Sequence, residues 1–182
     1  MSMSLDGFIA GPNESDDNGL GDGGERLHEW VFPPEGDVNA QVVDEFMSTG
    51  AVVAGRGTFE PAEGWHGDHH DGVPIWVLSR RPIPAWASTM PAVHYTNDIS
   101  DAFTSARAAA GERNVLVHGA ATAQRALAAG LLDEIQIHLV PVLFGTGRRL
   151  FDDLGSPRRE LERISVLNGE GGVTHLRYRV LS

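Results

Sequence analysis

Short apolar runs alternate along this chain with segments of helical period, and that alternation restricts the fold more than any other feature. The β-type runs fall at 51–54, 75–79, 92–95, 115–118 and 135–142. Between them, 38–48 sets Val42, Val43, Phe46 and Met47 on one helical face, and 100–110 is alanine-rich behind a candidate Ser100 cap. A third segment, 122–132, aligns Ala123, Ala126, Leu127 and Leu131, with Gly130 near its end. Toward the C-terminus the pattern changes. Runs 161–167 and 173–181 are β-like and joined by Asn168-Gly-Glu-Gly-Gly172, and Leu176, Tyr178 and Val180 alternate with His175, Arg177 and Arg179. The expected architecture is α/β: a mixed, mostly parallel central sheet flanked by helices, with a C-terminal antiparallel hairpin. A single domain is expected over 1–182, because neither a repeat nor a dividing linker interrupts the pattern.

Composition narrows the chemistry. The net charge is −11, and all 14 basic residues are arginine. Such an acidic chain repels nucleic acid unless its arginines cluster, so no nucleic-acid partner is expected. Without lysine there is no Schiff-base chemistry and no P-loop lysine. Without cysteine there is no disulfide, thiolate nucleophile or Cys-ligated zinc. No apolar run reaches membrane-spanning length and no signal peptide is recognised, so a cytoplasmic location without membrane contact is expected.

Two strand ends carry the most informative local feature. The run at 51–54 leads into Gly55-Arg56-Gly57-Thr58, and the run at 115–118 leads into Gly119-Ala120-Ala121-Thr122. Small residues where a parallel strand enters a helix let backbone N–H groups approach an anion, and the helix dipole favours negative charge there. The same residues also permit close helix–strand packing, and neither turn is a dinucleotide or P-loop fingerprint. Ser79-Arg80-Arg81, at another strand end, offers charge-assisted hydrogen bonds to a terminal phosphate or simply a solvated turn before Pro82. Two long loops stand out, 11–25, glycine- and acid-rich and expected to be mobile, and 64–72, with Trp65 and three histidines. His66, His69 and His70 with Asp68 and Asp71 suggest a metal-assisted hydrolase as a rival reading, but their spacing matches no zincin helix and no metal site is assigned. Gly145-Thr-Gly147 with Arg148 and Arg149 reads equally as a substrate-phosphate contact or a tight turn.

Taken in order, these segments resemble the dihydrofolate reductase superfamily, and within it the reductase domain of the bifunctional riboflavin-biosynthesis deaminase-reductase. The matching motifs are Ser4-Leu-Asp-Gly-Phe-Ile-Ala10, Gly55-Arg-Gly-Thr58, Val77-Leu-Ser-Arg80 and Val117-His-Gly-Ala-Ala121, then Gly130-Leu-Leu-Asp-Glu-Ile135, Pro141-Val-Leu-Phe-Gly-Thr-Gly147 and Leu150-Phe151. The resemblance implies NADPH as hydride donor, with flavin as the alternative ligand of the same turns, and commonly a homodimer. It implies cofactor contacts from Gly55, Arg56, Gly57 and Thr58, from Ser79 and Arg80 near the adenosine ribose phosphate, and from Gly119, Ala120, Ala121 and Thr122. The implied reaction is reduction of a conjugated C=N or C=O bond in a small heterocyclic, pyrimidine or pterin-type substrate. With no deaminase domain attached, the chain is not expected to perform both riboflavin steps.

Two departures accompany the resemblance. The first strand is expected to be short, starting at Met1-Ser-Met-Ser4, which leaves room for a cofactor-binding protein without turnover. His118 stands where relatives carry a small residue, so it either crowds the nicotinamide end or contributes a hydrogen bond there. Asp6 is the leading polar group for the substrate side, as a hydrogen-bond acceptor or proton relay, or else as a turn cap. Ser4 lies on the same face two residues earlier. Trp30, after the first loop, is expected either to wall the substrate pocket or to fill the core.

Overall fold

The computed structural model describes residues 1–31, 33–34, 36–152, 154–155 and 158–181. In chain order its strands are β1 (Ser2–Ser4), β2 (Phe8–Ala10), β3 (Ala51–Gly55), β4 (Ile75–Leu78), β5 (Val93–Thr96), β6 (Val115–His118), β7 (Glu134–Val140), β8 (Arg148–Arg149), β9 (Leu161–Asn168) and β10 (Thr174–Val180). The helices are α1 (Gly36–Met47), α2 (Arg56–Phe59), α3 (Ile99–Ala110) and α4 (Ala120–Ala128). The ladders form a parallel sheet β5-β4-β3-β6, a mixed sheet β1-β7-β10-β9 and a β2-β8 ribbon. The α/β architecture and the C-terminal hairpin are those expected. The central sheet, however, is divided, with β6 at the edge of one half and the short β1 at the edge of the other.

β3 is the middle of the parallel sheet, and its run Ala51 to Ala54 is wholly buried, as a strand covered on both faces must be. Ala51 and Val53 face α3 and α4, where Ala102, Ala106, Ala110 and Ala126 allow close approach beside Phe103. Val52 and Ala54 face the other way, onto Phe59, Ile75, Val77 and Val93. In the mixed sheet, Ile135 and Ile137 meet Ile9, Leu150 and Ala120. Val140 joins Leu27, Trp30, Val42 and Val173 beneath α1. Leu132 packs into both the α3 cluster and the Ile9–Leu150 cluster, and α4 contributes Ala126 to one and Ala120 to the other. α4 therefore sits at the seam between the two sheets.

Several local expectations shift. α3 is capped by Asp98, whose Oδ1 accepts from Ser100 N (2.7 Å) and Asp101 N (3.1 Å), so Ser100 lies within the helix. An ionised acceptor at this position also meets the helix dipole, which a serine hydroxyl does only weakly. α4 begins at Ala120, two residues before the expected start, and ends at Ala128 in a Schellman turn, with Leu131 N donating to Ala126 O and Gly130 N to Leu127 O. Gly130 supplies the required positive φ of 67°. The 11–25 loop is tied internally by Gly11 N to Leu20 O, Asp22 N to Pro12 O and Asn13 Nδ2 to Asp22 Oδ2. No helix among the described residues is long and apolar enough to cross a membrane.

Candidate functional site

The parallel register decides which strand ends meet. Gly55 pairs with Leu78 and Ala54 with His118, so Arg56, Ser79 and Gly119 all emerge at the carboxyl edge of the same sheet. There the two small-residue turns interlock. A Cβ on Gly119, whose φ is 89°, would run into the Thr58 hydroxyl, and a Cβ on Gly55 would lie 2.9 Å from Thr122 Oγ1. Each turn's glycine thus lies against the other helix's threonine. Gly57 is exposed and faces open space.

The start of α4 has spare backbone donors, with Gly119, Ala120 and Thr122 buried and Ala121 exposed. No side chain caps it, and its first internal bond runs from Ala123 N to Gly119 O. The N–H groups of Ala120, Ala121 and Thr122 therefore have no acceptor within the helix, and the helix dipole concentrates positive potential there. Arg56 is already engaged: its Nε donates to Glu60 Oε2 at 2.6 Å, across one turn of helix. Glu60 also accepts from the Tyr95 hydroxyl at 3.4 Å, and burial pushes that phenol up to about 12. Beyond this pair lies a cleft of about 290 Å³ lined by Asp16, Glu60, Glu63 and Trp86, whose carboxylates disfavour an anion on that side. Ser79 closes its own turn, donating to Arg81 O and accepting from Arg81 N, while Arg80 is exposed.

The Ser4–Asp6 segment forms a separate, tightly bonded turn. Ser4 is fully buried; its hydroxyl donates to Asp6 Oδ1 at 2.6 Å and accepts from Phe8 N at 2.9 Å. The Asp6 carboxylate also accepts from Phe144 N (3.1 Å) and Gly145 N (2.7 Å). The Ser4 hydrogen bond, helped by these two amides, holds Asp6 down at about 2, so it is ionised at neutral pH. The adjacent arginines are spoken for: Arg148 pairs with Glu14, and Arg149 donates to Asp6 O while its guanidinium stacks 4.5 Å over Phe8. Ile9 and Ala120 share a cluster and Gln124 donates to Leu150 O, which seats the β2-β8 ribbon against α4.

Trp30 is buried. Its indole N–H donates to Ser2 Oγ at 3.1 Å and its ring packs on His138 and His175, although one edge lines a small cleft of about 110 Å³ with Arg26, Glu29 and Glu170. The histidines of the 64–72 segment diverge. His66 is exposed beside Glu63, whereas His69 and His70 turn inward to form a chain ending at His118. His69 places its two ring nitrogens against different neighbours, 2.7 and 2.9 Å away. Two nitrogens sharing one tetrahedral zinc sit about 3.3 Å apart, so these pairs are too close to be bridged as they stand. Among the described residues no three His, Asp or Glu side chains stand together as a metal site. Sequence reasoning missed Glu60 as the partner of Arg56, although their i,i+4 spacing was a readable signal. It also missed the His118–His69 contact, which joins residues far apart in sequence and left no local sign.

The divided α/β sheet, with its turns interlocked at the carboxyl edge and α4 at the seam, is a dihydrofolate-reductase-like fold. The chain belongs to the RibD C-terminal domain family, whose family model matches residues 1–174. Among solved structures it is similar to a putative riboflavin biosynthesis protein from Shewanella sp. PV-4, with 24% identity and a TM-score of 0.75 over 99% of this chain and 96% of that one. It is also similar to a pyrimidine reductase-like protein from Corynebacterium diphtheriae, at 15% identity and a TM-score of 0.63 over 99% and 89% of the two chains. A third likeness is to the diaminohydroxyphosphoribosylaminopyrimidine deaminase/5-amino-6-(5-phosphoribosylamino)uracil reductase of Thermotoga maritima, at 15% identity and a TM-score of 0.64. That match covers 98% of this chain and 54% of the longer protein. No curated protein matches the chain.

Proposed function

We propose that the chain is an NADPH-dependent reductase of a small heterocyclic substrate, of the pyrimidine or pterin type. The observation that carries this reading is the uncapped N-terminus of α4, set against the interlocked Gly119–Thr58 and Gly55–Thr122 turns in a member of the RibD C-terminal domain family. The residues fit a pyrophosphate-bearing dinucleotide. The Gly119 turn packs directly onto the Thr58 hydroxyl, and the amides of Ala120, Ala121 and Thr122, which have no acceptor within the helix, are available to donate to the ligand's phosphates. Arg56, Gly57 and Thr58 line the neighbouring turn, with Ser79 and Arg80 one strand further out.

When bound, the dinucleotide supplies a hydride. The chain itself contributes binding and orientation. Asp6, ionised and anchored by Ser4, fixes the Phe144–Gly145 turn and offers acceptor capacity to a substrate N–H rather than a proton. A homodimer is the assembly we propose, and sedimentation equilibrium measures it directly.

The test is a titration with NADPH and NADH followed by tryptophan fluorescence, with Trp65 as the reporter because its ring lies 5.5 Å from that of His118. Tighter binding of NADPH than of NADH, weakened by Arg56→Ala, is expected. Absence of binding by either dinucleotide would remove the reading, and reduced flavins would then be tried.

A further inference from the structure

Three imidazoles stand in series beside the turn into α4. His118 Nε2 is 2.9 Å from His69 Nε2, His69 Nδ1 is 2.7 Å from His70 Nδ1, and His70 Nε2 is 3.0 Å from the Thr49 carbonyl oxygen. The last contact gives the chain its direction. A carbonyl can only accept, so His70 carries its proton on Nε2. The Thr49 hydroxyl, 3.2 Å from the same nitrogen, agrees: it donates to Phe46 O at 2.8 Å and so meets His70 as an acceptor. With its one proton on that nitrogen, His70 presents a lone pair at Nδ1. His69 must donate from Nδ1 and accept at Nε2, and His118 must donate from Nε2. The lone pair of His118 is left on Nδ1.

Burial holds His118 down at about 3 and His69 at about 4, so both of these rings are neutral at physiological pH. The Trp65 ring, 4.7 Å from that of His69 and 5.5 Å from that of His118, packs against both. His118 Nδ1 has no hydrogen-bond partner among the described residues. Nor is it sealed in, since among them the only fully buried side-chain nitrogen or oxygen without a partner is His28 Nδ1. It is the ring nitrogen nearer the backbone, on the last residue of β6 and one step before Gly119 and the spare amides of α4.

We infer that His118 contacts the ligand of this site, its Nδ1 lone pair accepting a hydrogen bond from a hydroxyl or amide N–H of the dinucleotide, and that His69 and His70 are positioning residues that hold that tautomer. The identity of the ligand rests on the cofactor reading above; the tautomer order does not. A fixed acceptor here favours ligands that bring a donor, such as a ribose hydroxyl or a carboxamide, over ligands that bring a carboxylate.

The experiment is a two-bond 1H–15N correlation spectrum of histidine-labelled protein, with His118→Gln to assign the ring. In the free protein His118 is expected to be protonated at Nε2, and NADPH should move its Nδ1 resonance without changing the tautomer. A shift with 2′-phospho-ADP-ribose as well would identify a ribose hydroxyl as donor, and a shift with NADPH alone the carboxamide; either supports the inference. His69→Leu should mix the His118 tautomers and weaken NADPH binding roughly three- to tenfold, the worth of one neutral hydrogen bond. An Nδ1-protonated His118 in the free wild-type protein overturns the inference, whatever the variants do. So does an unmoved Nδ1 resonance while NADPH is bound. If NADPH does not bind at all, the cofactor reading and the ligand contact fall together, and the free-protein spectrum still decides the tautomer order separately.

Discussion

Asp6 joins three parts of the chain at one carboxylate: the end of β1 through Ser4, its own turn, and the backbone of Phe144 and Gly145. Its depressed pKa gives stability a definite pH dependence. A carboxyl that titrates at about 2 when folded and at 3.8 otherwise contributes fully above about pH 4 and loses its contribution as pH falls through about 2. Asp6→Asn replaces an oxygen that accepts from amides with a group that donates, so the variant should unfold at lower urea near neutral pH. The gap between wild type and variant should then narrow from pH 4 downward. A gap that stays constant across that window would mean that the carboxylate is not the group holding the turn. Asp6-Gly7 already reads as a turn from sequence, and Ser4 falls on the same face by strand alternation. The Phe144 and Gly145 amides could not be read, since nothing local ties residues so far apart in the chain.

At the level of elements, interlocked turns make a sharper prediction than either turn alone. Gly119→Ala meets both an unfavourable backbone conformation and the Thr58 hydroxyl, and should cost about 2–4 kcal/mol in denaturant unfolding. Adding Thr58→Ala removes the clash but not the backbone strain, so a double-mutant cycle should show a favourable coupling of about 1 kcal/mol. Strict additivity would place the two turns apart. The cap of α3 offers a second contrast. Asp98→Ala should cost about 1 kcal/mol, whereas Ser100→Ala, inside the first turn, should stay within about 0.5 kcal/mol. Both assignments show how far the sequence carries. The apolar run of β3 was legible because a strand buried on both faces must be continuously apolar, and those of β4 and β6 because their side chains pack into the clusters on both faces of the sheet. Short pieces such as β2, β8 and α2 were not, because they are held by neighbours (Arg149 over Phe8, Phe59 in the core) rather than by their own pattern. The exchange of Ser100 for Asp98 arises because two polar residues near a helix start compete, and reach to the N2 and N3 amides decides between them.

Across the whole molecule, ligand binding and folding draw on the same elements. The candidate contacts come from the ends of β3, β4 and β6 and from α4, and α4 packs against the clusters of both sheets through Ala126 and Ala120. A dinucleotide held at the α4 N-terminus, as proposed, would bind to a helix that packs against both halves. Linkage then fixes the size of the effect: at a free concentration one hundred times the dissociation constant, a ligand specific for the folded state stabilises it by about 2.7 kcal/mol. For a chain of this length that corresponds to a rise in Tm of roughly 5–10 °C. Saturating NADPH should produce such a shift in differential scanning calorimetry as one cooperative transition, and Arg56→Ala should reduce it at equal ligand concentration. Leu132 gives the structural control, because it lies in both clusters but outside the turns. Leu132→Ala should lower Tm of the free protein while leaving the ligand-induced increment intact, once each protein is compared at the same multiple of its own dissociation constant. Two separate transitions, with only one moved by NADPH, would instead mean that the sheets fold independently and that α4 does not couple them.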